Sequence, residues 1–323
     1  MKFRIAKLLW GALAAVSATC TMAADAYPSR PLRFIVNSAP GALLDVTTRV
    51  VAQRMSEDLG QPIVVENRPG ADGAIGIRAV KAAPADGYTV LATANTLAQL
   101  PAVKLDPGYD PVNDFVGIGI MNQAPLIMVG ATSLPDQNLA SLIARAKSNP
   151  DKMQFASGGF GTTTHLAAMM FMHQAGVKIL HVPYKGISSA VPDAMAGRVD
   201  FLFDGANSAG PNVRDGKLRA FAITSTKRLT NFPDIPTFAE QGLTDYSFYV
   251  WLGLAAPKGT PKPVVDRLSR ALRAALASEP VRERLRRDGA EPGTLSPEEF
   301  TDFIRRDMQR SVKVAADLGI AKE

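Results

Sequence analysis

An α/β fold with mostly parallel sheets is predicted by three observations. Short apolar runs alternate with amphipathic helical patterns along nearly the whole chain. Small, hydroxylic or glycine-rich stretches close most of the runs. No Pro/Gly/Ser-rich linker, internal repeat or low-complexity tract interrupts the order, so any two domains must be joined by strands rather than by a tether. With 323 residues, 46% of them hydrophobic, the chain suffices for one large fold or two domains.

The run "LRFIV" leads into "ALLDVTTRVVAQRMSEDLG", where Val46, Val50, Val51 and Met55 recur at helical spacing and Gly60 stops the helix. "PIVVEN" reads as a strand, "AIGIRAVKAA" as a helix and "YTVLAT" as a strand. "LIMVGA" follows as a strand, "NLASLIARAKSNP" as a helix and "MQFAS" as a strand. "THLAAMMFMHQAG" is apolar nearly all round, which predicts a buried helix. "KILHV", "AVPDAMAG", "VDFLFD" and "LRAFAIT" continue the alternation. Two helices close the chain, "KPVVDRLSRALRAALAS" and "SPEEFTDFIRRDMQRSVKVAADLG". The second opens with Ser296, Pro297 and Glu299, a capping box with proline at the first helical position.

Residues 1–26 stand apart. Lys2, Arg4 and Lys7 make a positive start, Leu8 to Ala18 is apolar but too short to span a bilayer, and Ala24-Asp25-Ala26 offers small residues for cleavage before Tyr27. This is a cleavable secretory signal peptide and implies a periplasmic protein. Cys20 is the only cysteine and lies within it. Thr19 and Ser17 do not supply the small and branched aliphatic residues of a lipid-attachment signal. The exported chain therefore has no disulfide, thiolate nucleophile or cysteine-held metal. The formal charge of +6 is scattered, with one cluster at Arg282, Arg284, Arg286 and Arg287 on a polar helix. That is a solvated face, and no nucleic-acid partner is expected of an exported chain.

In an open parallel sheet, ligands bind beyond the carboxyl ends of the strands. The loops there read Asn37-Ser38-Ala39-Pro40-Gly41-Ala42, Thr93-Ala94-Asn95-Thr96, Ser157 through Thr164, Pro183-Tyr184-Lys185-Gly186 and Asp204-Gly205-Ala206-Asn207. They hold glycines and hydroxyls, and few charges. Glycine lets backbone N–H groups approach a ligand, and helix N-termini add a partial positive charge, so such loops make an anion site from dipoles. The same residues also simply make turns and caps. "GGFGTT" lacks the lysine of a phosphate-binding loop, and no G-x-G-x-x-G follows the first strand, which leaves a small carboxylate as the suited anion.

Catalysis finds little support. His165 and His173 lie eight apart on one helix, His181 closes a strand, and no H-E-x-x-H or G-x-S-x-G occurs. No catalytic residue, metal ligand or cofactor site is assigned. His165 reads first as structural and second as facing the ligand; Asp45 reads as a complement to its helix dipole. Asp204, ending a strand, is the best acidic candidate for an ammonium or hydroxyl on a ligand. Tyr249 and Trp251 read as core before cleft wall.

The stretches "YPSRPLRFIVNSAPG", "LGQPIVVENRPGADGAIG", "AAPADGYTVL", "HVPYKG", "AMAGRVDFLFD", "FPDIPTFAEQG" and "WLGLAAPKGTP", in this order, resemble the Bug family, the substrate-binding proteins of tripartite tricarboxylate transporters. The resemblance covers essentially all of the chain after the signal peptide. It implies a type II periplasmic binding protein fold: two α/β lobes joined by two crossing strands, with a ligand cleft between them. Residues 27–125 and 249–323 would form the first domain and 126–248 the second, with crossings near Gln123 to Met128 and Ser247 to Gly253. It further implies capture of a small carboxylate, delivery to membrane permease subunits, and a monomer. Mapped onto the loops above, the ligand-binding residues are Ser38, Ala39, Gly41, Leu43, Thr93, Asn95, Ser157, Gly161, Thr162, Thr163, His165 and Asp204. The family often has two glycines and a small polar residue before the aspartate of the first loop, where this chain has "PGALLD". Ala42, Leu43 and Leu44 thus point to an aromatic or otherwise apolar carboxylate. An orphan sensor signalling to a membrane kinase is the competing reading, and a periplasmic enzyme the least supported.

Overall fold

The computed structural model describes residues 27–322, so the signal peptide expected over residues 1–26 lies outside the described residues. The chain opens on strand Leu32–Val36 (β1), helix Leu43–Leu59 (α1), strand Ile63–Asn67 (β2), helix Ala74–Lys81 (α2), strand Thr89–Ala94 (β3) and helix Thr96–Val103 (α3). A 17-residue strand, Phe115–Ala131 (β4), follows. Next come Leu139–Ser148 (α4), Gln154–Ser157 (β5), Thr163–Ala175 (α5), Leu180–Pro183 (β6), Val191–Met195 (α6), Phe201–Gly205 (β7), Ala206–Arg214 (α7) and Leu218–Ile223 (β8). Tyr249–Pro257 (β9), Lys262–Ala277 (α8), Glu279–Arg287 (α9), Glu291–Pro292 (β10) and Pro297–Asp317 (α10) complete it.

Two sheets share β4. In the first the order is β2-β1-β3-β9-β4, with β10 on β4 at Asn122 and Gln123. In the second, β4 lies between β8 and β7, and β5 and β6 continue outward from β7. The handover falls between Pro125, opposite Tyr249 of β9, and Leu126, opposite Gly205 of β7. Pro125 has no N–H to give to a ladder, which suits it to the point where one ladder ends and another begins.

Pairs β1–β2, β1–β3, β5–β6 and β5–β7 are parallel, as strand–helix alternation requires. Every pairing made by β4 or β9 is antiparallel. The expectation of mostly parallel sheets is thus corrected to mixed ones. The sequence reading credits "LIMVGA" alone as a strand, whereas "FVGIGIMNQAP" precedes it in the same β4. β4 traverses both sheets, and β9, returning after the whole second set of strands and helices, runs back beside it antiparallel.

The core follows the patterns. Phe34, Val36, Val51, Met55, Leu268 and Leu272 are buried together between the first sheet and α1 and α8. Helix α5 is buried from His165 to Met172, as its all-round apolarity predicts, among Phe155, Phe171, Phe201, Phe203 and Phe238. Burying each such side chain contributes about 1.5–3 kcal/mol. Trp251 is core: fully buried, edge-on to Phe300 and Phe303, with its indole N–H donating to Asp307 Oδ2 at 2.9 Å. Gly60 ends α1 in the left-handed region at φ 69°, and α10 starts on the expected Ser296–Glu299 capping box.

Two buried polar side chains hold the crossing strands. Thr224, fully buried, accepts the Leu126 N–H at 2.8 Å and donates to Phe248 O at 2.6 Å through one hydroxyl. On the first-sheet side, Asn95 donates to Tyr249 O at 3.0 Å and accepts the Trp251 N–H at 2.9 Å.

Candidate functional site

The first loop runs from the end of β1 to α1. Asp45, one turn into the helix, reaches back over it: Oδ2 accepts the Gly41 N–H at 2.8 Å, and Oδ1 accepts Arg49 Nε at 2.9 Å and Asn67 Nδ2 at 3.0 Å. Asn67 Nδ2 also donates to Ser38 O at 3.1 Å. Burial opposes the Asp45 charge, but the hydrogen bonds from Gly41, Arg49 and Asn67 outweigh it and hold the carboxyl below its usual range. Asp45 therefore anchors the loop as well as complementing the dipole. Ser38 Oγ is buried without a hydrogen-bond partner. Ala39 and Gly41 are exposed, and Leu43 is 36% exposed on the first turn of α1. Ala42 at the N-cap leaves the first-turn N–H groups without a side-chain cap.

The second loop joins β5 to α5. Gly161 adopts φ +71°, and an added Cβ there would stand 2.7 Å from Val103 of α3, so this turn packs on the first lobe with no room for a side chain. Its N–H donates to His165 Nδ1 at 3.1 Å. Gly159 N–H donates to Ser157 Oγ at 3.1 Å, and Gly158 N–H donates to Thr164 Oγ1 at 2.9 Å. Thr162 Oγ1 donates to Gly159 O at 2.8 Å rather than capping α5, whose first N–H groups are left uncapped by its side chain. Below the turn, His165 and His181 stack at 4.2 Å between centroids, flanked by Phe155 and Phe160. Burial pushes His165 down to about 3, with the neighbouring His181 adding to it, and burial pushes His181 down to about 4. Both rings are neutral at neutral pH.

Ser157 Oγ lies 2.6 Å from His181 Nε2. A hydrolase pairs serine and histidine in this way. Here Ser157 is fully buried and shares its hydroxyl with Gly159, and an imidazole held near 4 is a poor base at neutral pH. The arrangement fixes the turn.

Asp204 ends β7 at the start of α7, 3% exposed. Oδ1 accepts the Gly205 N–H at 2.8 Å, while Oδ2 is buried with no partner of hydrogen-bonding geometry. Burial raises its pKa against the pull of the nearby Ser208 hydroxyl and the Gly205 N–H. Thr93 is fully buried opposite Gly253 of β9, and Asn95 has both ends of its amide committed to β9. Those two expected ligand residues lie beneath the surface, supporting the crossing strand.

The structure thus gathers the expected residues into two loops, Ser38–Leu43 and Ser157–His165, at the starts of α1 and α5, with Asp204 on a neighbouring strand end. The glycine N–H groups are taken within the loops, but each loop leads into helix-start N–H groups without a side-chain cap, and Ser38 and Asp204 each carry a buried polar atom left open. Such a pair can grip an anion by dipoles. Sequence reasoning missed Asn67, Arg49, His181 and Thr224. Their roles depend on strand register: Phe155 pairs with His181 across β5 and β6, which brings the imidazole onto the face of Ser157. Among the described residues no group of three or more histidine, cysteine, aspartate or glutamate side chains is placed to hold a metal ion, and no helix is long and apolar enough to cross a membrane.

Two α/β sheets sharing a strand give the two-lobed fold of the periplasmic binding class. Comparison with known proteins carries this further. The model of the tripartite tricarboxylate transporter family receptor matches residues 47–320. BugT of Bordetella pertussis is 35% identical over 309 residues, 95% of this chain and 95% of that protein. The structure of the periplasmic binding protein BugD is 34% identical, with a TM-score of 0.76, covering 92% of this chain and 100% of that one. R. palustris Rpa4515, solved with adipate, is 33% identical with a TM-score of 0.79 over 92% and 100% of the two chains. MatC from Rhodopseudomonas palustris, solved with malate, is 29% identical with a TM-score of 0.77 over 90% and 100%. The chain belongs to the tripartite tricarboxylate transporter receptor family, a family of solute-binding proteins.

Proposed function

We propose that this chain is a periplasmic receptor that closes two lobes, residues 27–125 with 249–323 and residues 126–248, on a small organic carboxylate and delivers it as a monomer to tripartite-type membrane permease subunits. The observation that carries the reading is the pair of unfinished half-sites. Ser38 Oγ in one lobe and Asp204 Oδ2 in the other are buried and unpartnered, near the starts of α1 and α7, neither of which has a side-chain cap. The carboxylate of an organic acid would accept from the Ser38 hydroxyl, and a hydroxyl or protonated carboxyl on the same acid would donate to Asp204 Oδ2. Ala39, Leu43 and Thr163, with the first-turn N–H groups of α1 and α5, would meet the ligand on turns shaped by Gly41, Gly161 and Thr162, while Ser157 and His165 hold the second loop from below and Thr93 and Asn95 hold the crossing strand. The relatives solved with adipate and malate support the carboxylate class. Leu43, exposed at the mouth of the first loop, supports a ligand with an apolar or aromatic body.

A thermal-shift series with benzoate, adipate, malate and aspartate tests this. A ligand at a hundred times its Kd adds about 2.7 kcal/mol to the stability of the native state, which raises the melting point by several degrees. Benzoate or adipate is expected to exceed aspartate. A shift from aspartate alone sinks the apolar-body reading, and no shift from any carboxylate sinks the ligand class.

A further inference from the structure

A cavity of about 210 Å³ lies apart from both loops, where the crossing strands meet α10. Gln123 of β4, Tyr249 and Trp251 of β9, and Phe303, Arg306 and Arg310 of α10 line it, with Ser247 and Asp307 completing the wall. Its charges are unequal. Asp307 takes the Trp251 indole N–H at 2.9 Å and faces Arg310 electrostatically, and Arg310 Nη2 donates to Ser247 O at 3.0 Å. That pair balances itself. Arg306 is exposed, and neither its guanidinium nor the Gln123 amide has a hydrogen-bond or ion-pair partner among the described residues. One positive charge, one free amide and the rings of Tyr249 and Phe303 thus converge on one hollow.

We propose that this cavity is a second binding site, for a small organic monoanion with a flat or apolar body, seated on the joint between the lobes. The guanidinium and the amide take the anionic end, and the rings cover the body. The occupant touches β4 and β9, the two strands that the lobes share, together with α10. Its presence does not depend on what the cleft between the lobes binds.

Trp251 in the cavity wall reports on it. Trp10, the other tryptophan of the sequence, lies in the expected signal peptide, and with it cleaved off or replaced by Phe, Trp251 is the sole tryptophan emitter. Benzoate titrated to about 10 mM, ten times a millimolar Kd, is expected to change that emission saturably. Arg306→Gln, on an exposed side chain whose loss spares the core, is expected to weaken the binding about tenfold or more, as loss of a charged hydrogen bond does. Arg306→Lys should recover part of it. No saturable change, or a change of equal affinity in Arg306→Gln, overturns the proposal; the latter would place the response in cleft closure alone.

Discussion

His165 offers Nδ1 to the Gly161 N–H at 3.1 Å, and the His181 ring lies over it at 4.2 Å. Protonating His165 destroys that acceptor and sets a charge against its neighbour. Both folded-state values, about 3 and about 4, lie below the ordinary imidazole value of 6.5. For a base held neutral by the fold, the stabilisation is complete above pH 6.5 and is lost as pH falls from there toward 3–4, because the unfolded chain takes up protons first. The loss should be on the order of several kcal/mol. Urea unfolding at pH 7 and at pH 4.5 should show it, and His165→Gln should flatten much of the difference. An unchanged pH dependence in that variant would mean the imidazole is not the group responsible. At this scale the sequence is legible only in part. Ser38 and Asp204 stand out in the sequence because they sit where strands close. The work of Asp45, Asn95 and His181 does not, because each acts on a partner chosen by register or by a strand far along the chain.

The elements that come through most clearly from sequence are those with a complete local signal. Helix α1 has its period and its Gly60 stop, α10 has its capping box, and α5 has apolar residues on every face. Helix α3 is hidden. It begins at Asn95-Thr96 in residues that read as a loop, carries Pro101 inside, and owes its helicity to burial of Leu97, Leu100 and Val103. That helix matters to the second loop, since Val103 fills the space beside Gly161. Gly161→Ala therefore combines a positive φ with a clash against the other lobe. A cost of about 1–3 kcal/mol is expected, read as a lower denaturation midpoint at unchanged slope. A cost within about 0.5 kcal/mol would show that the turn and α3 can part freely.

At the scale of the molecule, two lobes on two shared strands are anticipated by the resemblance to the Bug family, and the β4 handover at Pro125–Leu126 falls within the stretch 123–128. What periodicity alone does not give is where β9 goes. It lies between β3 and β4, inserted from the last quarter of the chain into a sheet begun by the first. Leu91 to Ala94 of β3 pair with Ala255 to Leu252, more than 150 residues later. Contacts so distant in sequence are slow to form. In a pulse-labelling hydrogen-exchange experiment during refolding, β3 amides should gain protection in the same kinetic step as those of β9. Earlier protection of β3 would refute this. A chain emerging amino-terminus first must then leave its opening strands with an unpaired edge until most of it has arrived, which exposes that edge to neighbouring chains in the meantime. The order of synthesis and the order of assembly run against each other, and a late-made strand decides when the first-made can settle.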